Sequence, residues 1–314
     1  MASPNLSEIV TTTLRNRSRQ LADNVTNHNA LLRKMRERGN VVELSGGRDI
    51  VRELEYQAND TVNFYSGYEV LDTSPADVLS SAVFDWKQLA GTVTISGLEE
   101  IKNSGPEAII NLLEARISVL EKSLENSLST SLYSDGTGSS GKEVGGLQLV
   151  IADAGTGTVG GINSSTFSFW QNVQTTATSS AFSVANVQTD MNNIYLSLVR
   201  GVDKPDIVTA DANAYKSFLG SLQAIQRVAD ANEANSGFVT TRYLGSDVYY
   251  DDQVPTNHMY FINTSYLRLE VAADRNFVPL DTRMSVNQDA MVVPMVWSGN
   301  LTCSNRALQG VIHV

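Results

Sequence analysis

The chain has 314 residues, of which 42% are apolar and 18% charged, with a formal net charge of −11. That length gives one large α+β unit or two domains of about 150 residues, enough to bury a core without disulfide or metal staples. The apolar content excludes bulk disorder, and the acidic balance argues against a base-reading nucleic-acid binder, which carries a basic excess.

The charge is uneven. Residues 1–40 hold seven Arg or Lys and three acids, so this stretch is basic in an acidic chain. Serine, threonine and asparagine make up 82 residues. A neutral polar surface of that kind suits faces covered by other copies of the same chain. A single cysteine, Cys303, permits no internal disulfide. His28, His258 and His313 show no metal-ligand spacing. No run of about 18 apolar residues is present to span a membrane, and the N-terminus shows no basic-then-apolar leader pattern.

In chain order, residues 4–38 read as one helix, with Ser3 as N-cap, Pro4 in the first turn and Gly39 as the stop. Its apolar stripe (Val10, Leu14, Leu21, Val25, Leu32, Met35) is thin, so it needs a partner surface. Residues 49–57 alternate, Asn59-Asp60 supplies a turn, and Thr61 to Leu71 is rich in β-formers; together they read as a hairpin. Neither face is apolar enough for a protomer's own core, and a lone two-stranded ribbon is marginal in water. Residues 82–96 read as one returning strand. The strongest helix opens at Gly105-Pro106 and runs to Asp135-Gly136, with apolar positions at Ile110, Leu113, Ile117, Leu120, Leu124 and Leu128. Residues 146–151 read as a short buried strand, followed by a loose Gly/Ser/Thr-rich stretch to 183. Helices are expected over 184–200 and 211–228, and a strand at 205–210. Strands and turns are expected from Arg242 to Val271, with strands again over 290–314. No internal repeat is visible.

Catalytic signatures are weak. Gly136-Thr-Gly-Ser-Ser-Gly-Lys142 overlaps both a dinucleotide fingerprint and a phosphate loop. Those motifs need a strand before and a helix after, so that helix amides face phosphate. Here the order is reversed, and Glu143 stands where a magnesium-binding Ser or Thr belongs. The segment reads as a helix stop and reversal, with nucleotide binding as the alternative. Asp251-Asp252 could be a metal or acid/base pair, but with no histidine or third acid placed to join them they read as a solvated turn, and His258 reads as a turn or packing residue. No catalytic residue, metal site or cofactor is expected.

Several strings, taken in order, carry a resemblance: Glu53-Leu-Glu-Tyr56, Tyr65-Ser-Gly-Tyr-Glu69, Asp85-Trp-Lys-Gln88, Val93-Thr-Ile-Ser-Gly97, Leu132-Tyr-Ser-Asp-Gly136 with Gly146-Leu147, and Trp297-Ser-Gly-Asn-Leu301. The chain resembles the major capsid proteins of tailed bacteriophages, with the Hong-Kong-97-type α+β fold. The resemblance implies an N-terminal arm (1–47), an extended loop ribbon (48–81) and a peripheral domain (82–151) with a spine helix at 106–134. A mainly axial domain (152–289) would follow, then C-terminal strands (290–314) returning to the peripheral domain.

It further implies a non-enzymatic protein that assembles as hexamers and pentamers into an icosahedral shell around double-stranded DNA. Assembly would take place in the host bacterial cytoplasm, with the virion capsid as the final location. Scaffold, portal and decoration proteins are further partners such a shell admits, and no membrane is implied. The ribbon would lie on a neighbouring subunit through Arg48, Ile50, Arg52, Leu54, Tyr56, Phe64, Tyr65 and Tyr68. Arg52 with Glu53 or Glu55 would set the register. Two rivals stay open: a bacterial compartment shell of the same fold, holding enzyme cargo, and a nucleotide-binding enzyme using the 136–142 loop. Some related shells join a loop lysine to a neighbour's asparagine, but this chain has no lysine between Val41 and Trp86.

Overall fold

The computed structural model describes residues 30–75, 77–102, 112–222, 241–281, 283–284 and 288–314. Most of the predicted 4–38 helix, the start of the helix at Gly105-Pro106 and residues 223–228 lie outside them. Helix α1 (Ala30–Glu37), inside the predicted 4–38 span, buries Ala30, Leu31, Leu32 and Met35. Gly39 follows at φ 71°, the left-handed conformation that stops a helix at little cost.

The chain then forms β1 (Val41–Leu44), β2 (Ile50–Glu55), β3 (Leu79–Phe84) and β4 (Lys87–Ser96), followed by helices α2 (Gly97–Lys102) and α3 (Leu112–Ser131). Here the structure corrects the hairpin. The partner of β2 is β3, in antiparallel register from Ile50↔Phe84 to Glu55↔Leu79, and 61–71 contains no strand. The expected returning strand at 82–96 is two strands in different sheets. Residues 146–151 are not a strand either: Leu147–Val150 is a single helical turn, whose entering amide on Leu147 donates to the Leu132 carbonyl at 2.7 Å. A short, mostly apolar run such as Leu147-Gln-Leu-Val150 fits helix and strand equally well.

Next come β5 (Thr158–Val159), β6 (Ile162–Asn163), β7 (Val173–Thr176), α4 (Val187–Leu198), β8 (Ile207–Ala210) and α5 (Ala212–Ser221). The remaining strands are β9 (Thr241–Tyr243), β10 (Ser246–Tyr250), β11 (His258–Ile262), β12 (Leu267–Ala272), β13 (Val278–Pro279), β14 (Arg283–Met284), β15 (Ala290–Cys303) and β16 (Gly310–His313).

Two six-stranded sheets organise these elements. The first is built on β15, whose fourteen residues pair with β4 over ten positions and with β12, β13 and β14; β1 joins β12 in parallel. Helix α3 presses on β4 so closely that a Cβ on Gly91 would lie 2.4 Å from Leu120 Cδ1. The second sheet runs β7-β16-β11-β8-β10-β9. Its centre, β8, is buried along its whole length, because α4 and α5 cover one face and the main core covers the other. Such double burial suits an apolar, β-branched strand such as Ile207-Val-Thr-Ala210. The expected domain limits are redrawn by this pairing. β12 and β13 belong to the first sheet, and the final strand β16 lies in the second, so 290–314 does not return as a unit.

Two buried charges tie the parts together. Arg306 is fully buried and meets only neutral acceptors. It donates to Val150 O (2.7 Å), Trp170 O (3.1 Å), Ser164 Oγ (3.3 Å) and Asn172 Oδ1 (3.0 Å). Burial lowers its guanidinium to about 10, which leaves the charge intact at neutral pH. Asp251 is also fully buried, which corrects its reading as part of a solvated turn. Its carboxylate accepts from Leu31 N (3.3 Å), Tyr133 Oη (3.1 Å) and Gln253 N (3.1 Å), so it seats the N-terminal turn of α1 beside the second sheet.

Replacing Arg306 with Ala leaves a cavity and takes the donor from two buried carbonyls, Val150 O and Trp170 O, each costing about 1–3 kcal/mol. Urea unfolding should show at least about 3 kcal/mol of lost stability; a loss under about 1 kcal/mol would remove Arg306 from this role.

Burial is the first cause raising the Asp251 pKa, opposed by the hydrogen bonds it accepts. A raised folded pKa means the native state holds a proton that the unfolded chain has released. Stability therefore falls as pH climbs from the unfolded carboxyl range of about 3.9 through the raised value, then levels off. Relative to the parent chain, Asp251→Asn should be more destabilised at about pH 4 than at about pH 7, measured by thermal melts across pH. Parallel profiles would contradict that.

Candidate intersubunit surface

The ribbon divides sharply into a base and a tip. At the base, Ile50 and Leu54 are 1% and 4% exposed and pack with Ala82 and Phe84 in the protomer's own core. The β5–β6 hairpin supports them from below. Gly160, at φ 57°, accepts from Val83 N at 2.9 Å, and a Cβ there would lie 2.7 Å from Ala82 Cβ. Ile50 and Leu54 are therefore corrected from neighbour contacts to core residues, since a side chain this buried offers nothing to a partner.

Arg52 is likewise turned inward. Its guanidinium donates to Glu270 Oε1 at 3.2 Å, and Glu270, almost fully buried in β12, also accepts from Thr302 Oγ1 at 3.2 Å. The expected register-setting pair with Glu53 or Glu55 is replaced by this internal one. Losing Arg52 would leave the Glu270 carboxylate, 5% exposed, without its cation. Tyr56 closes the base: its N–H donates to Val78 O, and its half-buried ring lies 5.3 Å from Phe169, which in turn contacts Phe167 and Trp170.

Beyond Tyr56 the chain loops out. Hydrogen bonds hold it locally: Asn59 Oδ1 accepts from Thr61 N at 3.0 Å, and Glu69 Oε2 accepts from Ser66 N at 2.9 Å. Hydrogen bonds from Ser74 hold the Asp72 carboxyl below its ordinary value. These turns display rather than bury the large side chains. Phe64, Tyr65 and Tyr68 are exposed, as are Val62, Val70 and Leu71. Arg48 is also exposed, with its nearest acid at Asp49. On the outward face of the ribbon, Val51 pairs with Val83, and both are exposed. Sequence reasoning missed Val51, Val62, Val70, Leu71, Leu79 and Val83, although their density between 51 and 83 was a usable signal.

The other sequence motifs resolve into structural detail. The 139–141 turn is left-handed, and Lys87 Nζ donates to Gly141 O at 2.7 Å. The amides of Leu147, Leu149 and Val150 are already bonded to Leu132 O and Gly146 O, so this helical turn has no free crown for phosphate. His258 bridges Thr256 O and Asp153 Oδ2 and stacks on Tyr260. Cys303 is buried, and burial pushes its thiol up to about 12. Among the described residues no group of three or more His, Cys, Asp or Glu could hold a metal ion, and no helix is long and apolar enough to cross a membrane.

No family model and no curated protein sequence matches this chain. Solved structures do. The Cyanophage A-1(L) capsid asymmetric unit aligns with a TM-score of 0.74 at 16% identity, covering 96% of each chain. The capsid of Myoviridae Phage XM1 aligns at 0.61 with 12% identity, covering 95% of this chain and 96% of the other. The holo-SrpI encapsulin complex from Synechococcus elongatus PCC 7942 aligns at 0.63 with 10% identity, covering 99% and 96%. With two β-sheets, a long helix against the first and a loop-tipped ribbon, all matched over nearly the full length, this chain has the Hong-Kong-97-type capsid fold.

Proposed function

We propose that the chain is a major capsid protein that self-assembles into the icosahedral head shell enclosing phage double-stranded DNA. The observation that carries this reading is the loop at 57–78, an apolar protrusion on a core-anchored base that the other described residues leave uncovered. Each large side chain it buries on a neighbour contributes about 1.5–3 kcal/mol before ordering costs. Repeated around a ring, such contacts decide between free subunits and particles. In this reading the β15 sheet with α3 is the peripheral domain, the second sheet is the axial domain and residues 1–47 form an arm. Hexamers and pentamers, the virion location, assembly in the host bacterial cytoplasm, and scaffold, portal and decoration partners belong to the same proposal. Acidity is compatible with it, because packaged DNA need not be read by side chains.

The similarity to the encapsulin complex supports a second reading, a compartment shell with protein cargo. Electron microscopy of the purified chain separates shell from no shell. Nuclease-protected DNA in the native particles separates capsid from compartment.

Two outcomes follow. Replacing residues 58–77 with a short Gly-Ser linker spares Ile50, Arg52 and Leu54. It should leave a protomer that melts cooperatively, yet forms no particles by sedimentation. Normal particles would remove the loop as the clasp.

The ribbon lacks lysine, and Lys87 lies at its base with Nζ bonded to Gly141 O. Native particles boiled in detergent should therefore run as single chains of 34.1 kDa, less any processed N-terminus. A ladder of covalent multimers would contradict this.

A further inference from the structure

A ring of identical subunits held by non-identical faces needs two surfaces on every copy, one that reaches out and one that receives. The loop at 57–78 is the first. Outside the ribbon, exposed large apolar side chains of the described residues are mostly scattered, but four converge at one corner of the second sheet. Leu196 is 72% exposed and Val199 37%, at the end of α4 and just beyond it. Val202 is 95% exposed in the following turn, and Leu244 is 56% exposed at the β9–β10 tip.

The convergence is fixed by contacts. Tyr195 Oη donates to Leu244 O at 3.1 Å, joining helix to tip, and a Cβ on Gly245 would lie 3.2 Å from Lys204 Nζ. The 200–203 turn is closed by Arg200 N to Asp203 O and Asp203 N to Arg200 O. Leu244 itself has φ 49°, with Gly245 at φ 90°. A two-residue hairpin loop of this hand takes Asn-Gly without strain. A leucine held there and left open to water gains nothing within its own protomer.

The charges match as well. The loop at 57–78 carries Asp60, Glu69, Asp72 and Asp77 and no Lys or Arg. Around the apolar patch, Arg200, Lys204 and Arg242 are exposed. The nearby acids are less exposed and engaged: Asp203 accepts from Tyr266 Oη, while Asp247 is bridged by Arg38 and Arg242. The outward rim is therefore basic on an acidic protein.

We infer that the patch formed by Leu196, Val202 and Leu244, with its basic rim, is the receiving face for the 57–78 loop of a second copy of this chain. The inference rests on the shell reading and deepens it by naming both halves of the contact. Complementary charge would steer the encounter and fix the register, and the apolar side chains would supply the attraction.

Cysteine pairing tests it, because native Cys303 is buried. Particles carrying Tyr68→Cys together with Val202→Cys should give disulfide-linked multimers on mild oxidation. Either single variant should stay monomeric in denaturing gels. Leu244→Asn should fold at least as well as the parent, yet raise the concentration needed for assembly by about tenfold or more. Particles that form normally but give no multimers in the double variant would overturn the inference and leave the shell reading standing. Multimers from Tyr68→Cys alone would overturn it too, since loop tips would then meet each other. A parent chain that forms no particles at all would overturn both.

Discussion

Everything distinctive about this protein depends on how the ribbon is held. Its base is nailed into the protomer by Ile50, Leu54, Ala82 and Phe84, by the close approach of Gly160, and by the Arg52–Glu270 pair. Among the described residues the tip has no such support. A chain that buries one end of a two-stranded ribbon and exposes Phe64, Tyr65 and Tyr68 at the other has a lever with a rigid fulcrum. In the proposed shell, a fixed base limits the directions the tip can take and so lowers the conformational cost of docking.

The rest of the fold serves that arrangement. The long strand β15 gathers β4, β12, β13 and β14 into one sheet, and β12 carries the Glu270 that receives Arg52. Arg306 and Asp251 act at the junctions. One collects the carbonyls of the turns around 150–172, and the other seats α1 beside the second sheet. Both are expensive to bury, and both are satisfied by several hydrogen bonds, as buried charges must be. They fix the relative positions of parts that apolar packing alone would hold less uniquely.

Much of this was legible from residue order. The repeat through Leu120, Leu124 and Leu128 marked α3, and the Pro205–Ala210 run contained β8. The ribbon partner was misread for a physical reason: the aromatic composition of 61–71 fits an exposed clasp as well as a strand, while Leu-Ser-Ser-Ala-Val-Phe at 79–84 has weaker strand character. Ile50 and Leu54 were assigned to a neighbour because periodicity reports that a face is apolar, not which chain covers it. Asp251 and Arg306 were invisible for a different reason. Their partners lie more than a hundred residues away in sequence, apart from Gln253 beside Asp251, and no local pattern signals such a contact. The candidate surface was thus half legible, with the exposed tip read correctly as apolar and its buried base assigned to the wrong chain.

In the proposed shell the base belongs to the protomer and the tip to the neighbour. Hydrogen–deuterium exchange on assembled particles and on dissociated protomers, followed peptide by peptide, addresses it directly. The β2 amides bonded to β3 should exchange equally slowly in both states, and those of 57–78 should be slowed further in particles. Equal exchange of 57–78 in the two states, or loss of protection at 50–55 on dissociation, would contradict it.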